Sequence, residues 1–430
     1  MMRFPENFLL GAATAAHQVE GNNIHSDYWV MEHMRSTGFA EPSLDAVDHY
    51  NRYEEDIKLL AGAGMNCYRF SIEWARIEPE EGKFDEAEVE HYRGMLRCCK
   101  ENGVTPIVTL HHFTSPRWLI SKGGWEAEST VADFRRYAVY IAEKLGSELE
   151  YVLTFNEANM GLQIAAIVRR YILQAISPRG KKKSDGNGGQ VRIDLKWMLV
   201  SRKIAEAENR KAFGTGKLHT FVSRRTPEGN RLIIRAHQAA RDAMKEVCPH
   251  LKVGLSLSLH DMQAKKGGER HAAKEWDAEF RQYLRCIRGD DFLGVQNYSC
   301  RRFGPFGHVG PGRDAELTQM GYEFYPEALE NVIRAVAKEY KGDLIVTENG
   351  IGTSDDSRRV AFIRRALAGV ERCVADGIPV RGYCYWSLLD NFEWKRGYSM
   401  TFGLIAVDRS TQKRSPKESL AYLASFRSGV

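Results

Sequence analysis

The chain has 430 residues, of which 43% are hydrophobic and 27% charged, ample material for a large buried core. Its 61 basic and 56 acidic residues leave a formal net charge of +5, a mild bias without the concentrated basic face of a nucleic-acid binder. No apolar run reaches the roughly 18 residues that suggest a membrane span, and the eight cysteines form no C-x-x-C pair, so neither a membrane protein nor a zinc or disulfide framework is expected.

The opening stretch MMRFPENFLLGAATAAHQVEG carries an apolar run from Phe8 to Ala16. Pro5, Glu6 and Asn7 interrupt its approach, and no clean small-residue cleavage site follows. It reads as a first strand, not an export signal. Cys67 and Cys384 sit inside apolar runs, as reduced core thiols do in a cytoplasmic protein.

Further along, short apolar runs alternate with amphipathic stretches. The spacing predicts strands at 9–16, 67–74, 105–112, 151–158, 252–259, 292–299, 344–350 and 380–389. Helical patterns fall between them at 49–64, 85–103, 129–146, 228–247, 325–340 and 357–377. Nearly continuous apolar strands alternating with helices imply a parallel sheet covered on both faces. The strand count and the length suit an α/β chain folded as a single (β/α)8 TIM barrel over 1–430. An open doubly wound sheet is the alternative, but no G-x-G-x-x-G turn follows the first strand. GPFGHVGPG (304–312) has the wrong spacing for a phosphate loop and reads as a flexible loop after strand six. SPRGKKKSDGNGGQ (177–190) reads as a mobile surface loop within an insertion around 160–228.

Polar residues collect at the C-terminal end of almost every strand. These are His17, Gln18 and Glu20 after strand one, and Arg69, Glu73 and Trp74 at strand two. His111 and His112 end strand three, Asn156 and Glu157 strand four, Asn297 and Tyr298 strand six, and Glu348 and Asn349 strand seven. Strand eight gives Trp386, followed by Asp390-Asn391-Phe392-Glu393-Trp394. In a barrel these ends form one mouth, where active sites sit. Glu157 and Glu348 would face each other across it, and two opposed carboxylates suit glycosidic bond cleavage. One must keep its proton to protonate the leaving oxygen while the other stays ionised. A metal site is the competitor, but adjacent strand residues such as His111 and His112 point to opposite faces. There is no H-E-x-x-H and no G-x-S-x-G. Trp118, Trp125, Trp386 and Trp394 could each be core, although Trp386 and Trp394 flank Glu393 in a pattern that suits a sugar's C–H faces and hydroxyl edges.

FLLGAATAAHQVEG, YRFSIEWARIEP, TFNEAN, FLGVQNY, MGYEFYPEAL, VTENG and GYCYWSLLDNFEW…GYSMTFGLIAVD follow one another in this order. Together they resemble glycoside hydrolase family 1, the β-glucosidase family, over nearly the whole chain. The resemblance implies a retaining double displacement with Glu157 as acid/base and Glu348 as nucleophile. It implies that Arg69 and Tyr298 hold the nucleophile ionised and that Asn156 binds the sugar 2-hydroxyl. Gln18, His112, Glu393 and Trp394 would bind the other hydroxyls, with Asn297 beside Tyr298 also on the substrate side. Trp386 would lie under the ring and Phe402 near its C6 side. Family members that cleave 6-phospho-sugars generally lack the Glu at 393, so an unphosphorylated glycoside is implied. No cofactor is expected. The implied partner is a small-molecule or oligosaccharide β-glycoside, with no nucleic acid and no membrane. β-Galactosidase or β-fucosidase specificity and transglycosylation are same-chemistry alternatives, and a non-catalytic sugar-binding barrel is the alternative of another class. Carboxyl groups about 5–5.5 Å apart are expected for retention. The sequence departs from the family at Ala158, usually Pro, at Phe113, often Trp, and through 22–45 and 160–228, the loops expected to shape the leaving-group side.

Overall fold

The computed structural model describes residues 4–166, 195–312 and 314–428, with the backbone alone given for 195–202. Eight parallel strands close into a barrel: β1 (Leu9–Ala13), β2 (Cys67–Ser71), β3 (Thr105–His111), β4 (Tyr151–Phe155), β5 (Lys252–Ser258), β6 (Phe292–Gln296), β7 (Asp343–Asn349) and β8 (Val380–Trp386). Closure is made by β1, which pairs Gly11 with Cys67 on β2 and Leu9 with Gly382 on β8. Gly11 is required there, since a Cβ would meet the Cys67 carbonyl oxygen at 1.7 Å.

Strand alternation sorts the side chains. On β2, Tyr68 and Phe70 pack outward against the helices, while Cys67 belongs to a separate inner cluster with Leu9, Ile107, Leu153, Phe292, Ile345 and Cys384. The Cys67 and Cys384 sulfurs share a hydrogen bond at 3.7 Å without forming a disulfide, and all eight cysteines are free. The helices follow the sequence pattern closely, at His49–Gly62, Glu86–Glu101, Ser129–Leu145, Pro227–Val247, Ala328–Glu339 and Asp356–Ala375. Thr226 caps the fourth of these by accepting from Gly229 N at 3.0 Å, with Pro227 pre-set for the first turn.

Three expectations are corrected. The eight strands stop one to three residues short of their expected C-terminal ends, because those residues turn into the mouth instead of continuing the ladder. The Gly-rich stretch 304–312 is partly ordered into a hairpin, with Gly307–Val309 antiparallel to Cys300–Gly304. That hairpin joins Asp261–Ala264 in a small sheet. Helices at Leu195–Phe213, Glu269–Glu279 and Glu418–Ser428 were not singled out from sequence. The stretch 177–190 lies outside the described residues. Among the described residues, no helix is long and apolar enough to cross a membrane, and no cluster of His, Cys, Asp or Glu is arranged to hold a metal ion.

Candidate active site

The mouth opens into a cavity of about 930 Å³ whose wall includes His112, Glu157, Tyr298, Glu348, Trp386, Glu393, Trp394 and Phe402. Its floor is organised by one cation. Arg69 projects from β2 into the barrel and is fully buried. It donates to Thr109 Oγ1 on β3 at 3.1 Å, to Asn156 Oδ1 at 2.7 Å, and on β7 to Thr347 O at 3.1 Å and Glu348 Oε1 at 2.6 Å. The Tyr298 hydroxyl donates to the other oxygen, Glu348 Oε2, at 2.6 Å. Burial pushes the Glu348 carboxyl upward, and Arg69 and Tyr298 pull it back toward the ionised form.

Glu157 is placed differently. The chain leaves β4 in the left-handed region at Glu157 (φ 45°), a strained conformation for a residue with a side chain. Strand β5 clamps the turn: Ser256 Oγ accepts from Glu157 N at 3.0 Å, and Ser256 O accepts from Ala158 N at 2.9 Å. Proline at 158 could not make the second bond. The Ala158 carbonyl in turn accepts from Arg225 at 2.5 Å, so the divergent segment helps hold this turn. Burial and the nearby Glu348 charge push the Glu157 carboxyl up to about 8. Glu393 is likewise pushed up to about 8 by burial and by Glu348. No ion pair reaches either carboxyl among the described residues.

Asn156 shows a directed arrangement. Its Oδ1 accepts from both Arg69 and Gln296, each at 2.7 Å, so its Nδ2 is the donor left over. That nitrogen is buried and has no partner among the described residues, and the same holds for Gln18 Oε1 and His112 Nδ1. Gln18 Nε2 donates to Phe392 O at 2.7 Å and reaches Glu393 Oε2 at 3.4 Å. Burial and the Arg69 charge push the His112 imidazole well down, keeping it neutral beside Trp386, 5.6 Å away centre to centre. The chain at Phe113 is also left-handed (φ 72°), and its ring sits 5.3 Å from Trp394.

The sequence expectations separate here. His111 points away from the mouth, Nε2 on Ser115 Oγ at 3.0 Å, while His112 points into it. Trp118 and Trp125 belong to the core side, bonded to Glu78 O and Ser115 Oγ. The Asn297 amide nitrogen is held by Leu259 O at 2.8 Å and Ser299 O at 2.9 Å, which ties down the loop carrying Tyr298 instead of presenting a donor to the cavity. Gln296, Ser256 and Ser258, which bonds the Glu157 carboxyl, were missed. Their signal was a polar residue at an inward strand position.

A family model described as Glycosyl hydrolase family 1 matches residues 1–183 and 305–429. The chain belongs to glycosyl hydrolase family 1. It is a glycoside hydrolase of the β-glucosidase-like kind and folds as the family's TIM barrel. The chain is 31% identical over 448 residues to a 1,4-beta-D-glucan glucohydrolase of Thermotoga neapolitana, covering 97% of each chain. It is 29% identical to a 6-phospho-beta-galactosidase of Leptotrichia buccalis, again over 97% of each. The crystal structure of beta-glycosidase BGL167 superposes with a TM-score of 0.86 at 44% identity, covering 100% of this chain and 98% of that one. Within this family 1 chain both glutamates line the cavity at the barrel mouth.

Proposed function

We propose that the protein is a retaining β-glucosidase acting on terminal, non-reducing, unphosphorylated β-D-glycosides. The observation that carries this reading is the unequal treatment of two buried glutamates. Glu348 has a guanidinium and a phenol on its two oxygens, whereas Glu157 has no ion pair among the described residues and is pushed up to about 8. In the first step Glu348 attacks the anomeric carbon and Glu157 protonates the departing oxygen. The glycosyl group is then esterified to Glu348, and the aglycone leaves as an alcohol. In the second step Glu157, now ionised, takes a proton from water as the water displaces Glu348. The free Asn156 Nδ2 supports a hydrogen bond to the sugar 2-oxygen, and Gln18, His112, Glu393 and Trp394 support the remaining hydroxyl contacts.

The Glu393 side of the cavity supports an unphosphorylated sugar, since no ion pair reaches that carboxyl among the described residues and nothing there offsets the charge of a phosphate dianion taken out of water. Proton NMR of the first anomer released from an aryl β-glucoside tests the mechanism. The β-anomer is expected, and the α-anomer would mean inversion. Parallel rates on an aryl β-glucoside and its 6-phosphate test the substrate, with the neutral sugar expected to react at least about a hundredfold faster.

A further inference from the structure

Beyond the sugar site the cavity continues into an outer chamber. Its wall is built from Met31, Met34, Phe113, Met160, Leu218 and Val222. Except for the buried Phe113, these side chains are half-buried, packed against the core on one side with the rest of their surface in the chamber. Polar residues occur among them, and five of these are engaged with the protein. Arg301 donates to Glu279 Oε1 at 2.8 Å and Arg302 to Glu323 Oε1 at 2.7 Å. His260 Nδ1 lies 3.1 Å from Glu279, the Gln163 amide donates to Ser258 O at 2.8 Å, and Asn209 donates to Gly216 O at 3.1 Å. The exposed Lys395 and Arg396 mark the lip.

A second and third sugar ring would bring hydroxyls into this chamber, each needing a partner to replace water. Several of the polar groups there are already engaged with backbone carbonyls and carboxylates of the protein. An apolar aglycone loses nothing on leaving water and gains contact with three unbranched, polarizable methionines that adapt to irregular shapes. We infer that the leaving-group site selects β-glycosides of bulky apolar alcohols and phenols over oligosaccharides. This rests on the glycosidase reading above.

The test is kcat/KM of the wild-type protein on methyl, butyl, hexyl and octyl β-D-glucosides, kept below their micelle concentrations. The leaving alcohols are chemically alike, so the chemistry is constant while apolar length varies. The expected result is a rise of about tenfold or more from methyl to octyl, with less than about threefold gain from cellobiose to cellotetraose. A flat alkyl series, or a steeper rise along the cello-oligosaccharides, would overturn the inference while leaving the glycosidase reading standing. No hydrolysis of any member, an activated aryl glucoside included, would instead overturn that reading. Met31→Gln combined with Leu218→Asn should lower the octyl-to-methyl ratio several-fold. An unchanged ratio in the folded variant would count against the chamber as the binding surface.

Discussion

Arg69 holds Glu348 Oε1 at 2.6 Å from the floor of the barrel, and the same guanidinium holds Asn156 Oδ1 at 2.7 Å. The nucleophile's charge and the orientation of the neighbouring amide thus depend on one side chain. Replacing it by methionine removes the cation and leaves burial to push the Glu348 carboxyl upward unopposed except by Tyr298. For Arg69→Met, the acidic limb of the kcat/KM profile should move up by about one unit or more. The pH-independent rate should fall by about 100-fold or more. An acidic limb that stays in place would show that Arg69 does not control the ionisation of Glu348.

Glu348→Gly should abolish hydrolysis, and azide or formate should partly restore it by entering the space vacated by the carboxylate. Near-normal turnover in this variant would remove Glu348 from the nucleophile's role.

The Glu157 carboxyl, pushed up to about 8, gives a signed expectation for the alkaline limb. The general acid must be protonated to work, so kcat/KM should fall as pH rises through about 8. Glu157→Ala should erase that limb for a nitrophenyl leaving group, which needs no proton. With an alkyl leaving group it should cost about 100- to 10,000-fold. An alkaline limb that survives the substitution would belong to some other group.

The same shift affects stability. A carboxyl that titrates near 8 when folded, against an ordinary value of 4.5, holds a proton that the unfolded chain has lost. Wild-type stability should therefore fall as pH rises from 4.5 toward 8 and then level off. Glu157→Gln removes the Glu157 share of this decline and leaves that of Glu393. Its gain over wild type should grow between those limits to on the order of 2–4 kcal/mol, seen as a widening Tm difference by calorimetry. A constant Tm difference across that range would mean that Glu157 titrates alike in both states.

Gln296→Leu should loosen Asn156, whose oxygen Gln296 shares with Arg69, while removing no bond to either glutamate's carboxyl; its other partner, at 3.1 Å, is Ser256 Oγ. The loss, about tenfold, should be larger for 2-hydroxy than for 2-deoxy glycosides. Equal losses on both would deny Gln296 this positioning role.

Much of this was legible in the chain itself. Apolar runs such as YVLTF and LIVTEN are continuous because both faces of the barrel wall are covered, and that pattern alone implied parallel strands. Glu157 and Glu348 stood out because each ends such a run with a charge. The strand ends were set too late for a physical reason: Asn156 and Glu157 continue the sequence pattern of β4, yet a left-handed φ at Glu157 turns the chain, and propensity does not report that. Gln296 was hidden because its role is to orient another side chain, which depends on the β4–β6 distance across the barrel. Asn297 neighbours Tyr298 in sequence, and only the fold shows its amide nitrogen held by two backbone carbonyls.

The reach of Arg69 across β2, β3, β4 and β7 makes it a crossbar of the barrel as well as a part of the site. The reactive geometry is then tied, through this one side chain, to the bore of the barrel. Thermal inactivation should accordingly coincide with global melting, and residual activity in a heated sample should count the folded molecules.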